Sequence, residues 1–222
     1  MNFFQSKQIE RKIGPKIFDT AAGDNFQNKF KPRLYEDQIN FDRLRMYRLN
    51  RVREQLLQSD IGACILFDPI NIRYATDARN MSMFTMHTLA RYVFIPVSGP
   101  VLLFDYPKSE HLSKNLCTID EIRVAESWDF FSAGNTVYSN AKKWADSIDG
   151  LMKTYISNNK RLAIDICDPA GIRSLSDNYH YDLYNAQEFL EKARSIKSED
   201  ELLCMQASIK TAEKGMTLMN KK

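Results

Sequence analysis

Glycine is scarce in this sequence: only eight of the 222 residues are glycine, and they are spread thinly along the chain. Neither the G-x-G-x-x-G fingerprint of dinucleotide-binding folds nor a phosphate-binding P-loop is present, so we expect no nucleotide site built on a glycine-rich loop. The G-x-S-x-G turn that carries the nucleophile of α/β-hydrolases is also missing. With only seven prolines as well, the composition leaves little room for long flexible linkers.

Histidine and cysteine, which are common zinc ligands, are few and far apart. The three histidines, His87, His111 and His180, have no i, i+4 spacing, and no Cys-x-x-Cys pair occurs. Two of the four cysteines, Cys64 and Cys167, lie in apolar runs, where a thiol acts as a small buried hydrophobe. We therefore expect reduced, structural cysteines and no metal ligands in this chain.

The sequence also lacks the features of membrane, secreted and nucleic-acid-binding proteins. No apolar run approaches the ~18 residues of a membrane span, and residues 1–11 contain no apolar segment of the kind that a secretory signal needs. The 31 basic and 28 acidic residues are interspersed, which gives a net charge of +3 without a basic cluster. We expect a cytoplasmic protein that binds neither nucleic acid nor a membrane.

The order of the apolar segments predicts an α/β fold. Residues 63–67 form a short apolar run typical of a buried strand. Asp68 and the proline after it suit the cap and first turn of a helix. The same junction recurs where the apolar run 162–167 meets Asp168 and its proline. Two such units favour a three-layer domain with a mixed, mostly parallel sheet of about six strands and helices on both faces.

Four further strands complete the predicted sheet. Residues 91–95 and 101–104 are apolar runs, and the five residues between them contain glycine and proline, which predicts a hairpin. The alternating polarity of residues 121–125 is typical of an edge strand. Residues 180–184 form the last strand.

Apolar residues at intervals of three and four predict the helices. We expect one helix from Phe41 that ends at Gly62, a long one over 135–157 and a short one within 109–116. Asn185 and Glu188 fit a capping box, which marks the start of a helix. The stripe of the long helix that should face the core consists of Val137, Ala141, Trp144, Ile148, Leu151 and Tyr155.

Two groups of residues have both a functional and a structural explanation. Asp165 and Asp168 form a D-x-x-D pattern, which could serve acid–base or metal chemistry. Helix capping by Asp168 before a proline explains the pattern better. Trp128, Phe130 and Phe131 form an aromatic cluster at a turn, which is either a subunit contact or a local plug over the sheet.

The chain divides into three predicted parts. Residues 1–40 show no sustained periodicity, so we expect an extended arm. Residues 41–196 contain the α/β domain. Residues 197–222 begin with a capping box of Ser198 and Glu201 and form a strong helix whose apolar face needs a partner. That face consists of Leu202, Met205, Ile209, Ala212, Met216 and Met219.

Two segments resemble one protein family. Residues 68–77 read Asp-Pro-Ile-Asn-Ile-Arg-Tyr-Ala-Thr-Asp and resemble the N-I-x-Y-x-T/S-G/D segment of the N-terminal domains of creatinase, prolidase and aminopeptidase P. Residues 193–203 resemble the R-x-I-K-S-x-x-E-I/L helix that starts the catalytic domain of these enzymes. The elements between them occur in a similar order, so the likeness covers residues 41–219. Within the family, residues 80–92 look most like the dimethylsulfoniopropionate lyases of this fold.

The resemblance implies a metal-dependent hydrolase or lyase of the peptidase M24 type. The chemistry of this family resides in a second, pita-bread domain, where two aspartates, a histidine and two carboxylates hold a pair of divalent metal ions. No position of that ligand set is matched here, so we expect no catalytic and no metal-binding residue in this chain. Residues 197–222 would be the first helix of the missing domain.

The role that follows for this chain is architectural. We expect it to mediate homodimerisation and to shape substrate access for the catalytic domain, without activity of its own. The alternative is a stand-alone protein-interaction module, which should bury the apolar face of helix 198–219 against the rest of the same chain.

The segment 77–91 is the candidate lining of a substrate pocket, because pockets combine apolar walls with a few placed polar groups. In the family, the loop here leans toward an active site, often that of the partner subunit. The tentative lining residues are Asp77, Arg79, Asn80, Phe84, His87 and Arg91. In the alternative, the segment is an ordinary loop whose methionines Met81, Met83 and Met86 fill gaps in the core.

Overall fold

A computed structural model of the chain describes residues 38–156 and 159–220. The strands of this part are β1 (Ala63–Leu66), β2 (Tyr92–Pro96), β3 (Leu102–Asp105), β4 (Glu121–Val124), β5 (Arg161–Ile164) and β6 (Asp182–Asn185). The helices are α1 (Phe41–Gln58), α2 (Pro69–Thr76), α3 (Ser82–His87), α4 (Phe130–Ala133), α5 (Val137–Tyr155), α6 (Pro169–Tyr179), α7 (Ala186–Ser195) and α8 (Glu199–Met219). The predicted arm at 1–40 lies outside the described residues except for its last three.

The six strands form one sheet in the order β4-β3-β2-β1-β5-β6. β1 runs parallel to β5, β5 to β6 and β3 to β4. β2 is antiparallel to both of its neighbours, β1 and β3. The predicted mixed, mostly parallel sheet is therefore confirmed, as are the β2–β3 hairpin and the edge position of residues 121–125.

The sheet is buried between two helical layers, which confirms the predicted three-layer architecture. α1, α2 and α7 pack on one face, and α5 and α6 pack on the other. Alternate residues of β1 serve the two layers: Cys64 and Leu66 pack in the first, Ala63 and Ile65 in the second. All four are fully buried. Burial also raises the pKa of the Cys64 thiol, as expected of a structural cysteine.

The layer formed by α5 and α6 has an aromatic centre. Trp128 and Trp144 are at most 1% exposed, and their ring centroids lie 4.3 Å apart. The predicted stripe of α5 faces this core, with its middle residues fully buried. Trp128 is thus the plug over the sheet, whereas Phe130 and Phe131 are 73% and 82% exposed. The plug therefore applies to Trp128, whereas the subunit contact stays a prediction for Phe130 and Phe131.

The D-x-x-D pattern is structural. Asp168 caps α6 by accepting a hydrogen bond from the Gly171 amide at 2.8 Å, and it also accepts one from Trp128 Nε1 at 2.8 Å. The Asp165 carboxylate accepts hydrogen bonds from the Phe67 amide at 2.8 Å and from Asn71 Nδ2 at 2.9 Å. Burial raises the pKa of Asp165, although the hydrogen bonds that the carboxylate accepts act to lower it. Together the two aspartates fix both strand-to-helix junctions.

α8 is attached to the domain through its first turn. The predicted capping box of Ser198 and Glu201 is confirmed. The Asp200 carboxylate accepts hydrogen bonds from Arg43 Nε at 2.7 Å and Nη2 at 2.9 Å, and Glu201 accepts one from Arg48 Nε at 2.7 Å. Both acidic residues are buried, and they are the buried residues of this helix. Within the described ranges, no helix combines the length and hydropathy that crossing a bilayer requires.

One predicted helix and one predicted capping box are wrong. Residues 109–116 form only a 3-10 turn at Glu110–Leu112, because the Ser109 hydroxyl donates a hydrogen bond to the Tyr106 carbonyl instead of capping a helix. Asn185 caps α7 through the Gln187 amide, but Glu188 pairs with Lys192 at 2.6 Å and does not close the predicted box. The first turn of a helix is costly to form, so a segment as short as 109–116 does not become an α-helix without a cap.

The attachment of α8 should depend on pH. The Arg43 guanidinium holds the pKa of the Asp200 carboxyl below its ordinary value, chiefly through their hydrogen bond. The unfolded chain, with an aspartate pKa of about 3.9, therefore binds a proton more readily than the native state. Stability rises with pH across this window, so the contribution is complete above about pH 4 and is lost as the pH falls through the native pKa.

We expect urea unfolding midpoints of the wild type to fall more steeply than those of Asp200→Asn as the pH is lowered from about 5 to about 3. The matched control is Glu199→Gln, which removes an exposed carboxylate from the same turn. Equal slopes for the wild type and Asp200→Asn would contradict the prediction.

Candidate functional site

The candidate segment begins where α2 ends. Asp77 caps this helix in the left-handed conformation, with φ 61°, and its amide donates to the Arg73 carbonyl at 2.8 Å. The Asp77 carboxylate lies between two guanidinium groups, 2.9 Å from Arg45 Nε and 3.1 Å from Arg79 Nη2. Asp77 therefore holds the turn against α1 and positions Arg79.

A buried ion pair lies behind this turn. Arg91 precedes β2 and Asp105 ends β3, and both side chains are 1% exposed. Arg91 Nε lies 3.0 Å from Asp105 Oδ2, although the N–H is not aligned for a hydrogen bond. Asp105 Oδ1 accepts hydrogen bonds from Asn80 Nδ2 at 2.9 Å and from the Tyr106 amide at 2.8 Å. The aspartate thus connects the candidate segment to the edge of the β2–β3 hairpin.

Asp105 is the residue behind this site that the sequence interpretation missed. Its signal lies in the hairpin register, because Tyr92 pairs with Phe104 and the next position therefore places Arg91 opposite Asp105. An arginine and an aspartate at matching ends of two apolar strands are a cross-strand pair.

A cavity of about 490 Å³ opens beside the ion pair. We name it the arginine cavity. Its polar lining comes from Arg73, Arg79, Asn80, Ser82 and Arg91. Its apolar lining comes from Pro69, Ala78, Met81 and Leu112.

A second, smaller cavity of about 280 Å³ is lined by other residues, and we name it the aromatic cavity. Phe84 lines it, with ring centroids 6.1 Å from Tyr106 and 6.2 Å from Phe131. Asp129 also lines it and accepts a hydrogen bond from the Ser127 hydroxyl at 2.6 Å. Burial opposes ionisation of Asp129, but hydrogen bonds from serines keep its pKa below the ordinary value.

The six predicted lining residues divide between these places. Arg79, Asn80 and Arg91 meet at the arginine cavity, whereas Phe84 lines the aromatic cavity. Asp77 contacts Arg79 from outside both linings. His87 is exposed at the end of α3 and lines neither cavity.

The three methionines of the segment do not fill the core. Met81, Met83 and Met86 are 58%, 82% and 62% exposed. The alternative in which they occupy core gaps is therefore wrong. Exposed methionines are instead characteristic of adaptable contact surfaces.

No group of three or more histidine, cysteine, aspartate or glutamate side chains that could hold a metal ion occurs within residues 38–156 and 159–220. The acidic residues near the arginine cavity are held by arginines, an asparagine and backbone amides. This arrangement can position a ligand electrostatically, but it contains no activated nucleophile with a base beside it.

The fold defines the class of protein. The family model of the creatinase/prolidase N-terminal domain matches residues 48–196, so the chain belongs to this family. This agrees with the six-stranded sheet and with the resemblance of residues 68–77.

Two curated relatives share one enzyme name. The dimethylsulfoniopropionate lyase DddP of Roseovarius nubinhibens is 27% identical, over 98% of this chain and 51% of the relative. The protein of the same name from Roseobacter denitrificans is 28% identical, over 79% of this chain and 39% of the relative. The chain thus spans about half the length of these curated relatives or less.

Solved structures support the fold. A dipeptidase from Pyrococcus horikoshii OT3 matches 79% of this chain and 44% of its own, with a TM-score of 0.53 and 13% identity. The prolidase from the same organism matches 77% and 41%, with a TM-score of 0.50 and 18% identity. At these identities the comparison concerns the fold alone.

Proposed function

We propose that the chain serves as the non-catalytic N-terminal domain of a metal-dependent hydrolase or lyase of the M24 type. A catalytic domain would hold the pair of divalent metal ions, and this chain would mediate dimerisation and shape substrate access in the cytoplasm. Dimethylsulfoniopropionate lyase is the activity that we favour, because both curated relatives carry that name. Xaa-Pro peptidase and creatinase activities are the next candidates.

The observation that carries this proposal is the open apolar face of α8. The first turn of the helix is anchored to α1, but its apolar residues Leu202, Met205, Ile209, Met216 and Met219 are 47–70% exposed. A stripe of this kind on a helix is expected to face another protein surface. The stand-alone module requires the same stripe to be buried against this chain, so the exposure favours a domain that works with a further one.

The proposed roles in dimerisation and access are supported by a second exposed surface. Met83 on α3 and Phe130 and Phe131 on α4 are each more than 70% exposed. The two helices meet at the aromatic cavity, where Phe131 contacts the Phe84 ring. Methionine and aromatic residues are enriched at protein interfaces. The proposal therefore assigns this surface to a subunit contact that borders the path of the substrate.

An activity assay tests the non-catalytic role. Purified chain 1–222 should not cleave dimethylsulfoniopropionate or Xaa-Pro dipeptides above the rate of the metal salt alone, whether Fe²⁺, Mn²⁺ or Zn²⁺ is added, because no ligand set for a metal pair is assembled in the described residues. Metal-dependent turnover that co-purifies with the chain would contradict the proposal.

The open face of α8 predicts self-association of the isolated chain. Light scattering coupled to size exclusion should show species larger than a monomer for the wild type. Ile209→Lys with Met216→Lys should shift the chain toward lower mass, because charge opposes burial of the face.

The matched control carries lysine at neighbouring positions, Thr211→Lys with Thr217→Lys, which are exposed and lie off the apolar stripe. This control should associate as the wild type does. An unchanged mass for the Ile209 and Met216 variant would show that the face is not the contact.

A further inference from the structure

We propose that the arginine cavity is a binding site for a small oxyanion, with Arg73 and Arg79 as the direct contacts and Arg91 as a fixed charge behind them. The site belongs to this chain alone and requires no catalytic domain. It therefore goes beyond the proposed function, and the two can fail separately.

The charge balance around the cavity is positive. Arg73, Arg79 and Arg91 line it, and no aspartate or glutamate is among the lining residues. Asp77 and Asp105 pair with Arg79 and Arg91 from outside the lining. Asp77 forms a second ion pair, at 2.9 Å, with Arg45, and Arg45 lies outside the cavity lining. The Arg73 side chain is exposed and forms no ion pair within residues 38–156 and 159–220. One guanidinium is thus left without a counterion beside the cavity, where an anion would supply the missing charge.

Arg91 provides an independent indication. Its Nη2 atom is buried and has no hydrogen-bond partner in the described part of the chain. Its ion-pair partner Asp105 does not supply one in this arrangement, since Oδ1 accepts from Asn80 and Tyr106 and Oδ2 forms no hydrogen bond of good geometry. Buried charged donors are almost always paired in native proteins. An oxyanion in the cavity strengthens the field that stabilises this buried cation, even where Arg73 and Arg79 make the closer contacts.

The size and lining of the cavity favour a compact ligand. About 490 Å³ is within the range of small-molecule pockets, which begins at about 300 Å³. Asn80 is occupied on both sides, since its Nδ2 donates to Asp105 and its Oδ1 accepts from the Met81 amide. The Ser82 hydroxyl lines the cavity and is exposed, so it can donate to a bound oxygen. The unpaired Arg73 guanidinium, the donors of Arg79 that Asp77 does not use and one hydroxyl suit a single carboxylate or phosphate group.

The test measures binding to the full chain by isothermal titration calorimetry, with sodium propionate and inorganic phosphate as separate probes. Ionic strength is held constant with sodium chloride, so that general screening does not change. At least one probe should bind at a single site. Arg73→Gln and Arg79→Gln should each weaken that binding about tenfold or more, because each removes a charged hydrogen bond.

Arg123→Gln is the matched control. Arg123 pairs with Glu121 two residues before it, as Arg79 pairs with Asp77, but it lies on β4 and outside the cavity lining. This variant should bind as the wild type does, and circular dichroism should show all three variants folded. No binding of either probe, or binding that Arg73→Gln and Arg79→Gln leave unchanged, would overturn the assignment. Such a failure would not affect the proposed function, which is tested by turnover and self-association.

Discussion

Asp105→Asn should lower the free energy of unfolding by about 3–5 kcal/mol, because it leaves the Arg91 guanidinium buried without its counterion. The substitution preserves the size of the side chain, and an amide oxygen can still accept from Asn80 and Tyr106. The loss is therefore one of charge, in a place where both partners are 1% exposed. Urea denaturation at neutral pH, followed by circular dichroism, measures it.

Two comparisons make this result specific. Glu121→Gln disrupts the exposed pair with Arg123, whose side chains are 46% and 39% exposed, and should cost about 1 kcal/mol or less. Removing both buried charges together, in Arg91→Met with Asp105→Leu, should cost less than Asp105→Asn alone, because no charge is left unpaired. A cost for Asp105→Asn as small as that of Glu121→Gln would show that the buried pair is not ionic.

Trp144→Ala should cost about 3–5 kcal/mol, because it opens a large cavity in the layer between the sheet and α5. Trp144 is fully buried and lies 4.3 Å from the Trp128 ring and 6.0 Å from the Phe67 ring. Phe131→Ala removes an aromatic ring of comparable type from a position that is 82% exposed. That control should change stability by no more than about 0.5 kcal/mol. A small effect at Trp144 would mean that the core closes over the vacated volume.

The two tryptophans also allow a finer comparison with phenylalanine. Trp128 Nε1 donates to Asp168 at 2.8 Å, whereas Trp144 Nε1 has no hydrogen bond of good geometry among the described residues. Trp128→Phe should therefore be the more destabilising change, by about 1–2 kcal/mol, since it removes a charge-assisted hydrogen bond. Equal effects of the two substitutions would contradict this account.

The elements that the sequence predicted well are those with strong local signals. The stripe from Val137 to Tyr155 repeats at helical spacing over five turns, and the packing of α5 follows it. Asp68 and Asp168 each stand before a proline, so capping and the missing amide mark the same helix start. Both signals depend on residues close together in the sequence, so the rest of the fold does not change what they predict.

The candidate site was predicted less completely because its contacts join distant parts of the chain. Arg79, Asn80 and Arg91 are polar residues of one segment, and they meet at one cavity. Their common partner Asp105 lies on another strand and is visible only once the hairpin is in register. His87 belongs to the same polar segment, but it lies at the end of α3 and lines neither cavity, and no local pattern indicates that.

The arginines of α1 show the same limit. Arg43, Arg45 and Arg48 look like ordinary surface charges in the sequence, where basic and acidic residues alternate. In the fold each reaches a carboxylate on another element. Which acidic residue each one meets depends on how α1 lies across α2 and α8, and helical spacing alone does not contain that information.

The way in which α8 is fixed has a mechanical consequence. Its 21 residues extend for about 30 Å, yet the ion pairs that hold it lie within its first three residues. Its direction is therefore set near Arg43 and Arg48, at one end of the helix. If the helix axis tilted by roughly 5° about its first turn, the C-terminal end would move by roughly 2–3 Å, given the rise of a helix. Substitutions on α1 can thus re-aim whatever the distal turns contact, without touching it.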